Sequence, residues 1–594
     1  MSAPDAVLVF PPLNILVTHP ELGIPQLTAN LRKHGRTVAQ ADANMEFMYR
    51  HLCRPQVLER CFRELAWRGP RGDFLDRAAR AMNAAKPAPL RLKLGRSPSR
   101  ELYRRAAREN LFSNVKETVP LPELPEALRP LAEPGAWRGF VELLDAVTFR
   151  PPSWSAEDVA ALSRERFPVL EEFYAGFLDR VLARGAPKVF GVTLCSASQL
   201  IPALVLARLA RERAPSSRIV AGGVWCTAAG ELLPGFAAFF ERFDAAVLHE
   251  GELPLLEILD RVDSGRGLEG IGGVVLRGRA PEPPAAPIPL EALEFPVYDG
   301  LPMDLYPMPT LAVRLTRGCH WAQCTFCYHV FPGYTELHST PKEGVSDRHL
   351  SRILDHMDEM HRLYGRTHFT LSDNGAPGAV LRRFARSLRE RGSAYTWESL
   401  ARFDAGLDEA HFRDLAASGC KELFFGLETV TKGELDAFSK GIELEPADAQ
   451  LRSCWRSGIA PFVFLLCHPL QPRESFHDTL RWVSERAETI YKVILFRFCL
   501  ARFTRAFLRR AELGLRLPAG AEGWLDPFNV PYRAPGELAI DDFIREAEAF
   551  EAAHLSLRYS ASVAPSASTT GGLARLGLTV WGRWPTPRSG GPEA

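Results

Sequence analysis

The sequence predicts an α/β chain. An N-terminal doubly wound, Rossmann-like domain with a helical insertion precedes a partial (β/α)6 barrel and a small C-terminal helical region. Three observations predict it. Short apolar runs alternate with helical spacings in two separate blocks. Glycine pairs and acidic residues stand where several of those runs end. Residues 281–289, Pro-Glu-Pro-Pro-Ala-Ala-Pro-Ile-Pro, form a stiff linker between the blocks.

The first block opens with an apolar run at 7–10 ending in Pro11-Pro12, a helical spacing over 24–31 and a second apolar run near Val38. The rhythm resumes downstream. Residues 189–194 predict a strand, 201–213 a helix, 218–221 a strand closing on Gly222-Gly223, and 245–248 a strand before His249-Glu250-Gly251-Glu252 and another helix. Such alternation predicts a parallel sheet with its ligand at the carboxyl ends of the strands. Between about 45 and 187 the strand rhythm stops. Amphipathic segments at 56–67, 73–86, 99–111 and 171–183, with proline-rich joints at 120–134, predict a helical insertion that serves as a solvated scaffold or as a cap or partner-docking surface.

In the second block strands are expected at 311–315, 368–371, 395–400, 422–425, 459–467 and 493–498. Helices are expected at 350–364, 379–391, 410–418, 433–438 and 476–486. Six strands with intervening helices fit a partial barrel, whose site lies at the strand C-termini. A plain parallel sheet has the same rhythm, and the cysteine cluster described next selects the barrel. The expected domains are 1–280, a linker 281–307, the barrel 308–500, a helical extension 501–560 and a disordered tail 561–594. Within the extension, 501–513 reads as a basic amphipathic helix with a solvated face, 524–532 as an aromatic, proline-rich closure of the barrel, and 540–554 as a helix.

Length and charge narrow the function classes. A chain of 594 residues holds substantial cores. Its 72 basic and 71 acidic residues remove the electrostatic argument for nucleic acid as a partner. No run of about 18 apolar residues and no basic-then-apolar leader is present, so a soluble, cytoplasmic protein without membrane association is expected.

Three of eleven cysteines, Cys319, Cys324 and Cys327, fall in the stretch Arg-Gly-Cys-His-Trp-Ala-Gln-Cys-Thr-Phe-Cys-Tyr. Clustered thiols in a reducing compartment are better metal ligands than disulfide partners. Three leave one iron of a four-iron, four-sulfur (4Fe-4S) cluster open, whereas a structural zinc closes with four. Spacing alone leaves a zinc knuckle completed by His320 or His329, and merely buried cysteines, as alternatives.

Arg-Gly-Cys followed by Cys-x-Phe-Cys resembles the signature of the radical S-adenosylmethionine (SAM) enzymes. The first gap holds four residues, His320 to Gln323, where the family usually has three. The resemblance implies a 4Fe-4S cluster on Cys319, Cys324 and Cys327 whose open iron chelates SAM, with Phe326 near the adenine. It implies further SAM contacts at Asp373 and Asn374 after the second barrel strand and at Glu398 and Arg402 on the third. Gly426-Leu427-Glu428-Thr429, with Lys440-Gly441 downstream, resembles the fourth-strand motif, so Glu428 and Thr429 are expected to face SAM. Each position taken singly also suits a helix cap. The first block resembles the cobalamin-binding domain that precedes many such barrels. That resemblance implies contacts at Pro12, Gly23, Asp42, Asn44, Gly222, Gly223, Glu250, Gly251 and Glu252. The first-strand loop has no Asp-x-His-x-x-Gly motif, which implies a cobalt without a protein histidine ligand.

Together these imply a cobalamin-dependent C-methyltransferase acting on an unactivated carbon of a peptide or small-molecule natural product, supplied with electrons by a flavodoxin- or ferredoxin-type donor. Tyr328, His329 and Tyr334, just beyond the cluster, are the candidate catalytic side chains. The rivals are a non-methylating radical reaction (epimerisation, cyclisation or rearrangement) and a zinc-binding, non-catalytic protein.

Overall fold

Strand β1 (Ala6–Phe10) is apolar and buried at every position, so both its faces need cover. Ala6, Leu8 and Phe10 enter one core cluster and Val7 and Val9 another, the period-two split of a strand. The first cluster is closed by Ile24 and Leu31 of helix Gly23–Lys33 and by Leu255, Ile258 and Leu259 of helix Glu252–Asp263. The second is closed by helices Pro168–Val181 and Leu200–Arg213. The computed structural model describes residues 2–13, 19–51, 54, 57, 149–306, 310–332, 334–341, 344–404, 407–486, 489–535 and 579–582.

β1 lies between β2 (Val38–Asp42) and β3 (Val189–Thr193), parallel to both. β4 (Arg218–Gly222), β5 (Ala245–Val247) and the antiparallel edge β6 (Val274–Val275) complete a sheet of order β2-β1-β3-β4-β5-β6. The chain therefore reverses direction across the sheet between β1 and β3, the place where a doubly wound sheet opens a crevice. The last helices of the insertion, Ala156–Ser163 and Pro168–Val181, belong to the sheet's own cover, with Phe173, Tyr174 and Phe177 in the core. Apart from Val57, the expected helices at 56–67, 73–86 and 99–111, the joints at 120–134, and the helix at 540–554 lie outside the described residues.

Residues 281–306 lie against both domains rather than standing off as a spacer. Gln40 Nε2 donates to Val297 O and Asp299 O (2.8 Å each), and Tyr306 OH donates to Asp42 Oδ2 (2.7 Å). On the other side Tyr298 OH donates to Ala312 O (3.3 Å) and Arg352 Nη2 to Leu293 O (3.0 Å).

The second sheet is β7 (Thr310–Val313), β8 (His368–Leu371), β9 (Thr396–Ala401), β10 (Cys420–Glu428), β11 (Ala460–Cys467) and β12 (Lys492–Arg497), adjacent in chain order and parallel, with β13 (Thr579–Gly582) antiparallel to β12. Chain-order adjacency makes an open arc of a barrel with β7 and β13 at its edges. Outward residues such as Val313, Trp397, Phe425, Val463 and Leu495 pack on Met357, Phe384, Phe412, Leu451 and Leu480 of the surrounding helices. One of those helices, Leu444–Arg456, is absent from the sequence expectation.

The expected basic helix at 501–513 is a correction. Only Arg505–Leu508 is helical, capped by Thr504, whose side chain accepts from Phe507 N. Arg502 is buried and donates to Ala521 O (3.1 Å) and Glu522 O (2.6 Å), so its charge holds a turn instead of facing solvent. Within 524–532, Leu525 N donates to Trp154 O (2.7 Å) and Val530 N to Leu500 O (3.0 Å), which ties the segment to both domains. No helix among the described residues is long and apolar enough to cross a membrane.

Candidate functional site

β7 delivers the cysteine loop, and Asp373, at the end of β8, fixes its start. The Asp373 carboxylate accepts from Leu315 N (3.1 Å), Thr316 N and Thr316 Oγ1. Burial pushes its pKa up to about 6 against those bonds. Asp373 thus supports the loop from below instead of offering its carboxylate to a ligand, and the neighbouring Asn374 is exposed. Gly375 lets the β8 end close on the loop: a Cβ there would stand 2.7 Å from Cys319 Sγ.

Three residues of the four-residue first gap are anchored in turn. His320 sits between Gly375 O (Nδ1, 2.7 Å) and Asp404 Oδ2 (Nε2, 3.0 Å). Trp321 Nε1 donates to Ser439 O (2.7 Å), and the Arg402 guanidinium lies 4.6 Å above the indole. Ala322 adopts φ +48, and its carbonyl accepts from Arg505 Nη1 (2.7 Å). The extra residue is thus taken up by a left-handed turn that a C-terminal arginine holds.

Cys319, Cys324 and Cys327 are free thiols and partly buried. Burial, with the neighbouring Cys324, pushes Cys327 up to about 12. Burial also raises Cys324, while the charges of Lys440 and Arg402 pull it back. Metal binding would draw the protons off these thiols, and two buried cations, Lys440 and Arg402, stand ready for the resulting negative charge. Among the described residues no three His, Cys, Asp or Glu side chains gather tightly enough to hold a metal ion. A cubane takes each thiolate on a different iron, so its ligands need not converge on one point. The donor set, the Gly375 cradle and the cations therefore fit a 4Fe-4S cluster.

Above the loop, Glu428 ends β10 at φ +72 and its Oε1 accepts from Lys440 Nζ (2.8 Å), with both side chains 8% exposed. Arg402 Nη2 donates to Lys440 O (2.7 Å) and Nη1 lies 4.0 Å from Cys324 Sγ. Glu428, Lys440 and Arg402 thus form one charged wall beside the cysteines. Phe326 meets Phe438 edge-on at 5.4 Å, with Lys440 Nζ 5.8 Å from its ring.

Thr429 does not join that wall. Its hydroxyl donates to Glu434 Oε2 (2.6 Å), which makes it part of the turn into helix Lys432–Ala437. Glu398 is also misplaced by the sequence expectation, because it sits in mid-strand on β9, four residues below Arg402. Tyr328 stacks obliquely on His329 at 4.3 Å, and Tyr334 leaves this group to stack on His249 of the first domain (3.9 Å, 21°).

A cavity of about 810 Å³, counting its open mouth, lies at the strand ends of the first sheet. Gly23, Gly222, Gly223, Glu250, Gly251 and Glu252 line it. Three other expected contacts do not. Pro12 is buried after β1, Asn44 is buried, and the Asp42 carboxylate is taken by Met45 N (2.8 Å) and Tyr306 OH. Gly223 has φ +96, and a Cβ there would strike the backbone of Leu194. The glycine-rich rim at the sheet's reversal point suits the backbone-close seating of a large flat cofactor.

The two sites meet. Glu250, at the cavity rim, accepts from Arg317 Nε (2.7 Å) and Nη2 (2.9 Å), two residues before Cys319. His249 adjoins at φ +59, lines the same cavity, and is held well below the usual imidazole range, at about 4, by burial and by His338. No sequence pattern marks His249, because its role comes from a backbone conformation and a partner 85 positions away along the chain, Tyr334.

No protein-family model matches the chain. An uncharacterized methyltransferase of Pyrococcus horikoshii is 25% identical over 325 residues, 52% of this chain and 66% of that protein, so the match leaves a third of the relative unspanned. Among solved structures, the radical S-adenosylmethionine methyltransferase TsrM from Kitasatospora setae, with tryptophan substrate and aza-SAM bound, is similar at TM-score 0.56 and 15% identity, over 96% of this chain and 93% of that one. TsrM has also been solved with cobalamin and a 4Fe-4S cluster bound (TM-score 0.52, 16% identity, 87% and 80% covered). The cobalamin-dependent SAM radical enzyme OxsB, with aqua-cobalamin and SAM, is similar at TM-score 0.50 and 13% identity, over 97% of this chain and 64% of that one. The chain therefore has the fold of the cobalamin-dependent radical SAM enzymes.

Proposed function

We propose that the chain is a cobalamin-dependent radical SAM enzyme, a C-methyltransferase for an unactivated carbon of a peptide or other natural product. The observation that carries the reading is the Arg317–Glu250 contact, which sets a three-cysteine loop at a barrel mouth against the rim of a glycine-lined cavity. When bound, the cluster and SAM would supply reductive SAM cleavage and cobalamin would supply methyl carriage, the hard chemistry that the protein itself does not do. Cys319, Cys324 and Cys327 would hold three irons. Lys440 and Arg402 would balance thiolate charge, and Glu428, fixed by Lys440, would form part of the wall that faces bound SAM. Gly222, Gly223 and Gly251 let the cofactor approach the backbone. Working in the cytoplasm, the enzyme would draw electrons from a flavodoxin- or ferredoxin-type donor.

Anaerobic reconstitution with iron, sulfide and cobalamin, followed by methyl-labelled SAM, tests this. The parent chain should bind iron and sulfide and release 5′-deoxyadenosine, and Cys324→Ala should do neither. Uptake of zinc alone, with no 5′-deoxyadenosine, would overturn the reading. A product without label would replace methylation by another radical outcome.

A further inference from the structure

On one side the cysteine loop is covered by the segment that follows β12. Ala506 N donates to Thr325 O (2.8 Å), between Cys324 and Cys327, and Arg505 Nη1 donates to Ala322 O (2.7 Å). Leu515, Leu517, Tyr532 and Ala534 belong to the apolar cluster that also takes Phe326 of the loop. On another side the loop meets the first domain, through Arg317 and Glu250.

The outer face of that cover is cationic. Arg516 N donates to Arg533 O (2.9 Å) and Arg533 N to Arg516 O (2.7 Å), an antiparallel bridge in which the two residues stand directly opposite each other. Their chain neighbours are the inward Leu515, Leu517, Tyr532 and Ala534, so the two guanidinium groups share the outward face, and both residues are exposed. Like charges directly opposite cost stability. Among the described residues neither arginine has a carboxylate to offset that cost, because Glu512 and Glu522 are held by Arg509 (2.8 Å) and Arg510 (3.6 Å). Over 500–535 six arginines stand against three acids, so this surface is positive although the whole chain carries only +1. Leu515 N donates to Arg510 O (2.8 Å), which holds the end of helix Arg505–Leu508 beside the bridge, and Leu508 there is 61% exposed. Arginines around an exposed apolar side chain are the composition of a protein-docking surface.

We propose that this face, Arg516 and Arg533 with Leu508 at its edge, is where a small acidic electron-carrier protein of the flavodoxin type docks to reduce the cluster. In the docked pair the carrier loses one electron and the cluster gains it, with no proton or bond exchanged. The inference deepens the function proposed above and rests on it for there being a cluster to reduce.

Titration of the full chain with an acidic flavodoxin by calorimetry, at about 0.05 M and about 0.5 M salt, tests the contact. The parent should bind, and more weakly at the higher salt. Arg516→Glu turns the like-charged pair into an opposite-charged one, so it should melt no lower than the parent yet bind flavodoxin about tenfold more weakly. Arg533→Glu should do the same. On the reconstituted chain, 5′-deoxyadenosine formation driven by sub-saturating reduced flavodoxin should fall with the binding. Formation driven by dithionite, which needs no docking, should be unchanged. Folded variants that bind flavodoxin as the parent does, a loss that is equal with both reductants, or a polyglutamate peptide that binds as tightly as flavodoxin would each overturn the proposal. A parent that cleaves SAM with dithionite yet does not bind flavodoxin sinks this inference and leaves the proposed function standing. A chain that takes up only zinc removes both.

Discussion

At the scale of single residues, the molecule keeps carboxyl groups buried by giving each a local donor set. Asp42 shows the consequence most directly. It accepts from Met45 N and Tyr306 OH, yet burial still pushes its pKa up to about 6. An acid whose folded pKa exceeds its unfolded value of about 3.8 binds its proton more tightly when folded. Its favourable contribution is complete at pH below about 4 and is lost as pH rises through about 6, worth about 3 kcal/mol at 1.36 kcal/mol per unit. Asp42→Asn keeps an acceptor for the Met45 N–H and for Tyr306 but cannot ionise. Urea unfolding between pH 4 and 7 should show the parent losing stability relative to Asp42→Asn across that window. Parallel pH profiles for the two chains would refute the assignment. The Glu428–Lys440 pair is the opposite case. There the partner is itself charged, and removing either side alone would strand a buried charge at a cost of roughly 3–5 kcal/mol.

At the scale of elements, the end of β4 carries the sharpest constraint. Gly223 stands at φ +96 with the Leu194 backbone where a side chain would be, while Leu194 N donates to Gly222 O (2.8 Å) and Trp225 N to Leu194 O (3.0 Å). Gly223→Ala should therefore cost at least about 2 kcal/mol, from left-handed strain together with a backbone clash. Chemical denaturation reads that loss, and an alanine variant as stable as the parent would show that the β3–β4 ends are not this tightly paired. Such glycines were legible in the sequence because Gly-Gly after an apolar run is a local signal. The expected strands were legible for the same reason: 368–371 coincides with β8, and the others match within a few residues, whereas the short edge strand β6 and β13, which lies within the stretch expected to be a disordered tail, were not foreseen. Helix Leu444–Arg456 escaped because its charged residues dilute the apolar spacing and no break separates it from helix Lys432–Ala437 beyond Gly441. The site was half legible. The cysteines, Glu428 and the cavity glycines announce themselves by pattern. Thr429, Asp373 and Glu398 carry the right chemistry for a site, but hydrogen bonds to Glu434, to Thr316 and to Thr370 decide what they do, and those partners lie on other elements or across a turn.

At the scale of the whole molecule, the interface between the domains joins apolar packing of Leu525 and Phe528 into the first domain's core with polar contacts at the working ends of both sheets. Trp225 Nε1 donates to Leu525 O (3.1 Å), Tyr306 OH reaches Asp42, and His249 stacks on Tyr334. Arg317–Glu250 is the member closest to the chemistry, and its side chains are only 12% and 21% exposed. Bidentate geometry fixes both the separation and the tilt of the partners, so the pair positions the cysteine loop against the cavity rim. Glu250→Gln keeps the shape and one acceptor but removes the charge and one of the two parallel bonds. Breaking a buried pair costs up to several kcal/mol, and partial exposure should bring this one down to about 2. A purely structural pair would lower the melting temperature and leave the reaction's internal ratios alone. A positioning pair predicts more: Glu250→Gln should bind iron as the parent does and still form 5′-deoxyadenosine, while methyl transfer per SAM cleaved falls about tenfold, the response to a small misplacement of reacting groups. Measuring the two products in one reaction separates the cases. An unchanged ratio at lowered stability would reduce Arg317–Glu250 to a fastening between two independent domains.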